Sequence, residues 1–585
     1  MNTMHKSIPS IATALLLFSS AASLAQRDST NLGATYEIVA GFNPTMADAR
    51  KIDLRPELID TILPIAPVSY NLMDVKGHVP ARVDSISAVK LGINTLQTKL
   101  YKGFAKAGFG LYTTPLLELY YDQTRSRENS WGVHYKHLSS NGGINNMGES
   151  QYSFNAADAH YTHYLKKHEV GGSVGFDRRR ISYYGGTDEL ALASFDLGKV
   201  EDDRLKQVYN DLGFGVRVRS MYKDSSMIAH DVKLDVHQYS NSSDSRETNV
   251  KVLADLAMEQ GSETYGGRIL VDNNSYRAKQ GIVDFKQSGT LIGLLPQVST
   301  RSDKYLVQVG VGIYLDAANT DVLFLDDRAD RTTFHFFPRA YLSYSLFDDI
   351  LVPYVGVDGA RERNSLRSLT RENPWLMGAP VLSNTSKMYD IYGGIRGSVS
   401  SRLGFDVRVS SARWKDKMLF ISQTDTILGD RFFTVYDQLD VLDISGELMY
   451  SIGERAKLNG RVDIYTNEAR GQAEAWYMPN YRLALGGLYD IRNKLILKAE
   501  VEMLGARYAA SIPGSEPTFD TGSSLALEQF ELGSYFDLYL GVEYRYTKRF
   551  SVWLDCSNLG ADKYERWLNH PVQRTLVMGG ATMSF

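Results

Sequence analysis

From about residue 103 to the C-terminus, hydrophobic and polar residues alternate with a period of two. In residues 494–503, one face of the chain carries Leu495, Leu497, Ala499, Val501 and Met503. The opposite face is mainly charged, and residues 213–219, 405–409 and 461–465 repeat the pattern. A helix of 3.6 residues per turn would scatter those charges around its axis, whereas residues two apart share one face of a strand. The pattern therefore predicts β-strands.

The lengths of the strands and of the connections decide between a soluble sandwich and a membrane barrel. The candidate strands have roughly 9 to 16 residues, longer than most soluble strands and sufficient for a tilted membrane strand. Short polar turns, such as those near Lys166, Arg301 and Gly453, alternate with longer connections. The longer connections are expected at 181–205, 317–331, 364–385, 416–437, 508–530 and 558–572. This asymmetry is typical of an outer-membrane barrel with tight periplasmic turns and long outer loops.

The predicted fold class is all-β, a single large antiparallel transmembrane β-barrel in the cell outer membrane. The alternation indicates about 22 strands, and an even number returns the last strand to the side on which the first begins. Pro296, Pro338 and Pro479 fall inside proposed strands, where proline fits only at bulges or boundaries. A count of about 14 to 20 strands therefore stays open.

Three domains are predicted along the chain. Residues 1–25 have the pattern of a secretory signal peptide, with Lys6, an apolar run at 11–18 and a small-residue cleavage site ending at Ala25. Residues 26–102 are proline-containing and irregular, and are interpreted as a periplasmic or lumen-entering segment. Residues 103–585 form the predicted barrel.

The final strand ends on an aromatic residue. Val577, Met583 and Phe585 share its outward face. This arrangement looks like the signal that outer-membrane assembly machinery reads, so these three residues are the predicted barrel-assembly signal. The expected partners are that machinery, outer-membrane lipid or lipopolysaccharide, and other outer-membrane or periplasmic proteins.

Composition and charge exclude several classes of function. The chain has 64 Lys and Arg against 68 Asp and Glu, a net charge of -4. No basic field for nucleic acid is present in that balance, so nucleic acid is not an expected partner. The single cysteine, Cys556, excludes a cysteine-rich zinc site and an iron–sulfur cluster.

The histidines predict neither a metal site nor an active site. His134 and His137, like His160 and His163, are three residues apart, which places them on opposite faces of a strand. His237, His335 and His570 are near predicted strand ends, and no local nucleophile motif accompanies them. We therefore expect no cofactor, no bound metal and no enzymatic activity.

The 36 tyrosines and the inward charges have simple expected places. Aromatic residues near strand ends are predicted to form interface girdles: Tyr120, Tyr121, Tyr183, Tyr184, Tyr344, Phe347, Tyr544 and Tyr546. Inward charges of both signs, including Arg217 and Asp235, are expected to pair across neighbouring strands. Trp375 and Trp567 lie in predicted loops and are the candidates for contacts with a ligand or partner.

Two regions resemble a known family. Residues 558–564, Asn-Leu-Gly-Ala-Asp-Lys-Tyr, followed by Arg574 and Thr575, resemble the last hairpin of TonB-dependent receptors. Residues 43–52, 106–115, 134–142 and 175–178 resemble receptor-like barrels of Bacteroidota. Residues 26–102 are shorter than the globular plug of full receptors, so the resemblance implies a barrel that lacks a full plug domain.

Two hypotheses of function follow. The resemblance implies a barrel that takes part in solute transport across the outer membrane. The alternative is a non-transporting scaffold or accessory subunit of an outer-membrane assembly or secretion complex, which the short N-terminal segment favours.

Overall fold

The computed structural model describes residues 101–123, 126–145, 147–185, 206–280, 283–322, 327–377, 380–425, 429–453, 455–512 and 527–585. The predicted signal peptide and residues 26–100 lie outside these ranges. Among the described residues, no helix is long and apolar enough to cross a membrane.

The strands of the barrel wall follow one another in chain order. They are β1 (Gly103–Gly110), β2 (Thr114–Gln123), β3 (Asn129–Ser140), β4 (Tyr152–Tyr164), β5 (His168–Ser182), β6 (Lys206–Ser220), β7 (Ala229–Asn241), β8 (Arg246–Gln260), β9 (Glu263–Gln280), β10 (Val283–Arg301), β11 (Tyr305–Val322), β12 (Asp327–Tyr344), β13 (Val352–Glu362), β14 (Thr385–Ser400), β15 (Leu403–Asp425), β16 (Gly429–Ile452), β17 (Ala456–Ala469), β18 (Tyr481–Ile491), β19 (Leu495–Leu504), β22 (Tyr535–Arg545), β23 (Phe550–Ser557) and β26 (Leu576–Ser584).

Shorter elements lie in the connections. They are the helix α1 (Leu366–Glu372) and the strands β20 (Arg507–Ile512), β21 (Glu528–Leu532), β24 (Glu565–Trp567) and β25 (His570–Pro571).

The wall is a closed, antiparallel, 22-strand barrel, which confirms the predicted fold class. Each wall strand pairs with the next, and β26 pairs with β1 to close the sheet, with Met583 opposite Ala105. The backbone N–H of Gly103 donates to the carbonyl of Phe585 at 2.8 Å. Closure therefore pairs β1 with β26, the two strands that would otherwise be the edges of the sheet.

The two ends of the barrel differ. Short turns, such as those at 165–167, 261–262 and 492–494, join the strands at the end where Gly103 and Phe585 lie. We call this the turn end and the opposite end the loop end. The longest described connections, including 363–384 and 558–575, lie at the loop end.

Alternating residues of the strands face opposite sides of the wall, as the sequence predicts. On β22, the apolar side chains of Phe536, Leu540 and Val542 face outward and are about 40% exposed, whereas Ile496 on β19 faces inward and is 5% exposed. Inward charges pair as expected, since Arg217 on β6 binds Asp231 on β7 at 2.6 Å. The outer surface is therefore apolar and the inner wall polar.

Two of the predicted long connections are wrong. Residues 317–322 and 327–331 belong to β11 and β12, and most of 416–437 belongs to β15 and β16. The β15 and β16 strands have 23 and 24 residues. Alternation fails as a signal at 418–421 because these residues are buried on both faces of the hairpin.

The girdle prediction is wrong for three tyrosines. Tyr120 faces the lumen, where its hydroxyl donates to Glu118 at 2.8 Å. Tyr183 and Tyr184 lie inside the loop end, and their hydroxyls donate to the carbonyls of Leu376 and Pro571. Pairing with buried backbone groups holds these rings inside. Of the three prolines, Pro296 and Pro338 lie within β10 and β12, and Pro479 lies between β17 and β18.

Candidate functional site at the loop end of the lumen

The connection between β13 and β14, residues 363–384, folds into the barrel, and we call it the lumen loop. Its helix α1 begins in a capping box: the Ser368 amide donates to the Ser365 hydroxyl, and the Ser365 amide donates to the Ser368 hydroxyl. The helix ends at Asn373 because Pro374 follows. Leu366 and Leu369 share its buried face.

Four arginines bind the lumen loop and the adjoining end of β13 to the inner wall, and we call them the arginine ladder. Arg361 is 2.8 Å from Asp316 on β11, Arg363 is 3.1 Å from Asp272 on β9, Arg367 is 3.4 Å from Asp211 on β6, and Arg371 is 3.0 Å from Asp211 and 3.4 Å from Asp177 on β5. The ladder therefore contacts strands on one long side of the barrel.

A buried carboxylate receives the start of α1. Glu247 on β8 is 1% exposed and accepts hydrogen bonds from the amides of Leu366 at 2.6 Å and Arg367 at 3.3 Å. The side-chain amide of Asn274 on β9 donates to the same carboxylate at 3.2 Å. A carboxylate at this position stabilises the start of the helix, because the first backbone amides have no hydrogen-bond partner within the helix.

The apolar side of the lumen loop completes a hydrophobic core inside the barrel. Leu366, Leu369, Leu376 and Leu382 are all buried. They belong to one cluster with rings from the inner wall, Tyr209, Tyr239 and Tyr276, and with Met418, Phe420 and Phe432 from the tip of the β15–β16 hairpin. The loop thus contacts β5 to β11 on one side of the lumen and β15 and β16 on the other.

The tip of the β15–β16 hairpin bends inward at an irregularity. The register shifts between Trp414 and Lys417, and Asp416 has a φ of 53°. Thr385, the first residue of β14, donates its hydroxyl hydrogen to the Asp416 carbonyl at 2.8 Å. The other face of the tip buries Leu419 and Ile421 against Trp476 of the β17–β18 connection. An extra residue bends a strand in this way.

Both predicted contact tryptophans lie in this interior. Trp375 donates its ring N–H to the Ser182 carbonyl at 3.0 Å, and its ring is 4.5 Å from that of His570. Trp567 is 5.0 Å from Phe420 and 4.7 Å from Tyr477. They contact residues of this chain, and contact with a ligand or partner stays a prediction.

His570 is buried where the β23–β26 connection meets the lumen loop. It is 1% exposed, and burial lowers its pKa to about 4, so the ring is neutral at pH 7. Its Nδ1 is 2.9 Å from the Leu568 carbonyl, and its Nε2 has no partner among the described atoms. At the end of α1, burial raises the pKa of Glu372. Burial is the largest cause of both pKa shifts. Looser packing of these connections would therefore bring the pKa values of His570 and Glu372 back towards their ordinary values.

The turn-end half of the lumen is more exposed to solvent than the loop-end half. A cavity of about 460 Å³ lies against the inner wall, lined by residues that include Asp255, Arg268 and Gln297. A second cavity of about 310 Å³ shares Gln297 and Arg339 with it. Arg268 and Asp255 form an ion pair of 2.6 Å, yet their side chains are 51% and 38% exposed.

The residues predicted to form the barrel-assembly signal lie outside the lumen. Val577, Met583 and Phe585 lie at the closing seam, where β26 pairs with β23 and β1. Met583 and Phe585 are 52% and 53% exposed, and an assembly role stays a prediction.

His134 contacts Glu118 and Asp158, whereas His137 contacts Asn155. Within the described ranges, no group of three His, Cys, Asp or Glu residues is arranged to hold a metal ion.

Sequence reasoning missed the arginine ladder. The signal was present in the spacing of Arg361, Arg363, Arg367 and Arg371 around the Ser365–Ser368 capping box. A helix that places two arginines four residues apart carries both on one face. The carboxylates that receive them come from strands up to about two hundred residues away in sequence, which no local pattern connects.

No protein-family model matches the chain, and no curated protein matches it by sequence. Solved structures match it in fold. The FrpB iron transporter from Neisseria meningitidis has a TM-score of 0.62 at 9% identity, covering 84% of this chain and 82% of that one. The ferric-catecholate import receptor Fiu from K12 E. coli has a TM-score of 0.59 at 10% identity, covering 83% and 82%. The copper transporter OprC has a TM-score of 0.59 at 10% identity, covering 83% and 80%.

The TM-scores show a likeness of fold, and at 9–10% identity the matches show the fold alone. The closed antiparallel barrel of this chain is therefore similar in fold to these three solved structures. The predicted class of architecture is thereby confirmed.

Proposed function

We propose that this chain is an outer-membrane transporter or channel through whose lumen a nutrient or other solute passes. The observation that carries the proposal is a barrel shared over more than four fifths of the chain with iron and copper transporters. In this arrangement the turn end faces the periplasm and the loop end faces outward. We propose further that the barrel is of the Bacteroidota type and lacks a full plug domain.

The lumen loop is the proposed barrier to passage. It contacts strands on two sides of the lumen, and ion pairs and hydrogen bonds hold its arginine ladder. Such contacts break and form again without unfolding the wall, because the wall strands keep their own ladders of hydrogen bonds. The loop can therefore move while the barrel stays closed around it.

Conductance across planar lipid bilayers tests the proposal. A variant in which a short Gly-Ser linker replaces residues 364–383 should show large, stable channels, whereas the unaltered protein should conduct little. Arg367→Ala together with Arg371→Ala should give intermittent openings. Lys223→Ala with Lys548→Ala removes the same charge from exposed turns at the other end and is the matched control. A folded linker variant that conducts no more than the unaltered protein contradicts the proposal.

One observation favours the second candidate, a scaffold subunit. The interior cluster that includes Leu366, Leu376 and Phe432 is buried as completely as the core of a soluble protein, each residue being at most 1% exposed. A permanently filled lumen suits a structural role. Stoichiometric co-purification with other outer-membrane proteins, together with a linker variant that stays closed, would establish that role instead.

A further inference from the structure

One seam of the wall is paired over only part of its length. β12 pairs with β13 at four positions, where Ala340 to Ser343 lie opposite Val357 to Tyr354. On its other side, β12 pairs with β11 along its whole length. Within the described ranges, residues 332–338 of β12 therefore have a paired strand on one side only, and we call them the free edge.

The hydrogen-bond pattern of this seam shows which backbone groups point into the gap. At the turn end, in the same register, the amides of Leu346 and Leu351 donate to each other's carbonyls at 2.8 and 3.2 Å. The residues of an antiparallel strand point their N–H and C=O groups alternately to the two neighbouring strands. In steps of two from Leu346, the residues whose backbone groups point away from β11 are Thr332, Phe334, Phe336 and, with its carbonyl alone, Pro338.

β13 leaves the seam where Pro338 and Gly359 would meet. A continued register would place these two residues opposite each other, but proline has no N–H to donate. The Gly359 amide donates instead to the Asp358 carboxylate at 2.9 Å, and the register of β13 with β14 shifts at this point. Beyond the shift, Arg361 binds Asp316 on the inner face of β11. The end of β13 therefore turns inward with the lumen loop, away from the free edge.

The free edge lies at the level of apolar side chains on the outer surface. Phe334 is directly opposite Leu315 on β11, and Leu315 is directly opposite Ile292 on β10. Phe334 and Phe336 are 68% and 61% exposed, so their rings face outward. From Tyr344 to Phe334 a tilted strand rises about 25 Å, which is the height of the apolar band of a membrane barrel. The unpaired backbone groups of Phe334 and Phe336 therefore lie at the depth of lipid hydrocarbon.

Only another polypeptide strand can pair with these groups. The inner side of the gap is covered, because the Phe337 ring is buried and a side chain on Gly359 would have its Cβ 2.9 Å from that ring. Unpaired backbone groups are strongly unfavourable in hydrocarbon, and lipid chains have no hydrogen-bonding groups to offer. A second copy in the same membrane has its β12 running in the same direction, so two free edges cannot pair in antiparallel fashion.

We propose that the free edge binds an extended segment of a second membrane polypeptide, which joins the wall as a strand antiparallel to β12. Strand addition of this kind obtains its affinity from main-chain hydrogen bonds and its specificity from alternate side chains. The segment spans about seven residues, the length of the free edge. It presents apolar side chains to lipid and small side chains to the inner face, where Phe337 and Gly359 leave little room. The inference rests on the proposed placement of the barrel in the outer membrane.

Binding of a synthetic peptide to the full-length protein in detergent micelles tests the site. The peptide has blocked ends and the sequence of residues 307–313, Val-Gln-Val-Gly-Val-Gly-Ile, a part of β11 that pairs with the other edge of β12. The peptide should bind saturably and should slow hydrogen exchange of the Phe334 and Phe336 amides about tenfold or more. The same peptide with N-methylated valines should not bind, because opposite residues share a face and the valine N–H groups would point to β12.

A pair of substitutions separates backbone pairing from contact with the aromatic ring. Phe336→Pro removes an N–H that points away from β11, so the wall should fold and the half-saturating peptide concentration should rise about tenfold or more. Phe336→Ala keeps the N–H and is the matched control, which should lose much less. Heat-dependent gel migration verifies that each barrel is folded. If Phe336→Pro does not fold, exchange of the two amides in the unaltered protein still decides the question.

Three outcomes would overturn the site. Slow exchange of the Phe334 and Phe336 amides before any peptide is added would show that the free edge is already paired. The other two are the absence of saturable binding and an equal loss of binding in Phe336→Pro and Phe336→Ala, the latter assigning the contact to the ring. Conductance of the linker variant does not depend on this edge, so a failure here leaves the proposed function unaffected.

Discussion

The two halves of the lumen use the same kind of ion pair in different surroundings. At the loop end, the side chains of Arg361 and Asp316 are 3% and 5% exposed, and at the turn end those of Arg268 and Asp255 are 51% and 38% exposed. Both pairs join neighbouring parts of one sheet with good geometry. Water makes the difference, since a buried charge that loses its partner has no solvent to replace it. The loop-end contacts should therefore dominate the stability of the interior.

Removal of Arg361 should give the largest effect. Its guanidinium donates to Asp316 at 2.8 and 2.9 Å and to the Ser386 hydroxyl at 2.7 Å. Arg361→Ala would leave Asp316 buried with only the amide of Asn384 as a partner among these contacts. The expected loss is about 3 to 5 kcal/mol in the free energy of unfolding, measured by urea titration in micelles.

A double substitution tests whether the loss of stability comes from the unpaired carboxylate of Asp316 or from lost packing. Arg361→Leu combined with Asp316→Leu removes both charges, so the loss should be smaller than for Arg361→Ala alone. An equal or larger loss in the double variant would show that packing at this position, and not the unpaired carboxylate, determines the effect.

Acid should weaken the loop end through His570. Burial lowers its pKa from about 6.5 to about 4, so the unfolded connection binds a proton in a pH range where the folded one does not. Stability from this residue is full above pH 6.5 and is lost as the pH falls towards 4, by about 3 kcal/mol in total. Hydrogen exchange at residues 564–572 should therefore accelerate as the pH falls, after correction for its intrinsic pH dependence.

The variant His570→Phe is the control for this pH dependence. Glu372 acts in the opposite sense, because its raised pKa stabilises the folded form at low pH. The comparison of the two proteins cancels that contribution. If His570→Phe keeps the full acid sensitivity of the unaltered protein, another group is responsible.

Loss of the carboxylate charge of Glu247 should have a smaller and more local effect. Glu247→Gln keeps the shape of the side chain but removes its negative charge from the amides of Leu366 and Arg367. We expect a loss of about 2 kcal/mol in the local opening free energy of α1, measured by hydrogen exchange at these two amides. The wall strand β8 should keep its protection, and loss of protection there would mean that the change reaches beyond the lumen loop.

The wall could be predicted from the sequence because it repeats one local rule. Stretches such as 494–503 alternate apolar and polar residues, so each strand specifies its outer and its lumen face by itself. The alternation indicated about 22 strands and the prolines left about 14 to 20 open; the wall has 22, with Pro296 and Pro338 inside β10 and β12.

The interior could not be predicted because its partners are distant in sequence. Tyr183 and Trp375 pack inside only because the lumen loop meets residues 182 and 183 there. A tyrosine at a strand end looks the same in sequence whether its hydroxyl reaches lipid headgroups or a buried carbonyl. The apolar run at 418–421 was interpreted as loop for the same reason, since a strand buried on both faces has no alternation.

The smallest effect is expected at the turn end, from Arg268→Ala. Its pair with Asp255 has a short distance of 2.6 Å, so a rule based on geometry alone would rank it with the strongest. Both side chains are more than a third exposed, and water together with salt replaces most of what each loses. We expect a change of at most about 1 kcal/mol in the free energy of unfolding, and less at high salt. A loss comparable to that of Arg361→Ala would show that the turn-end lumen is as dry as the loop end, and the contrast between the two halves would disappear.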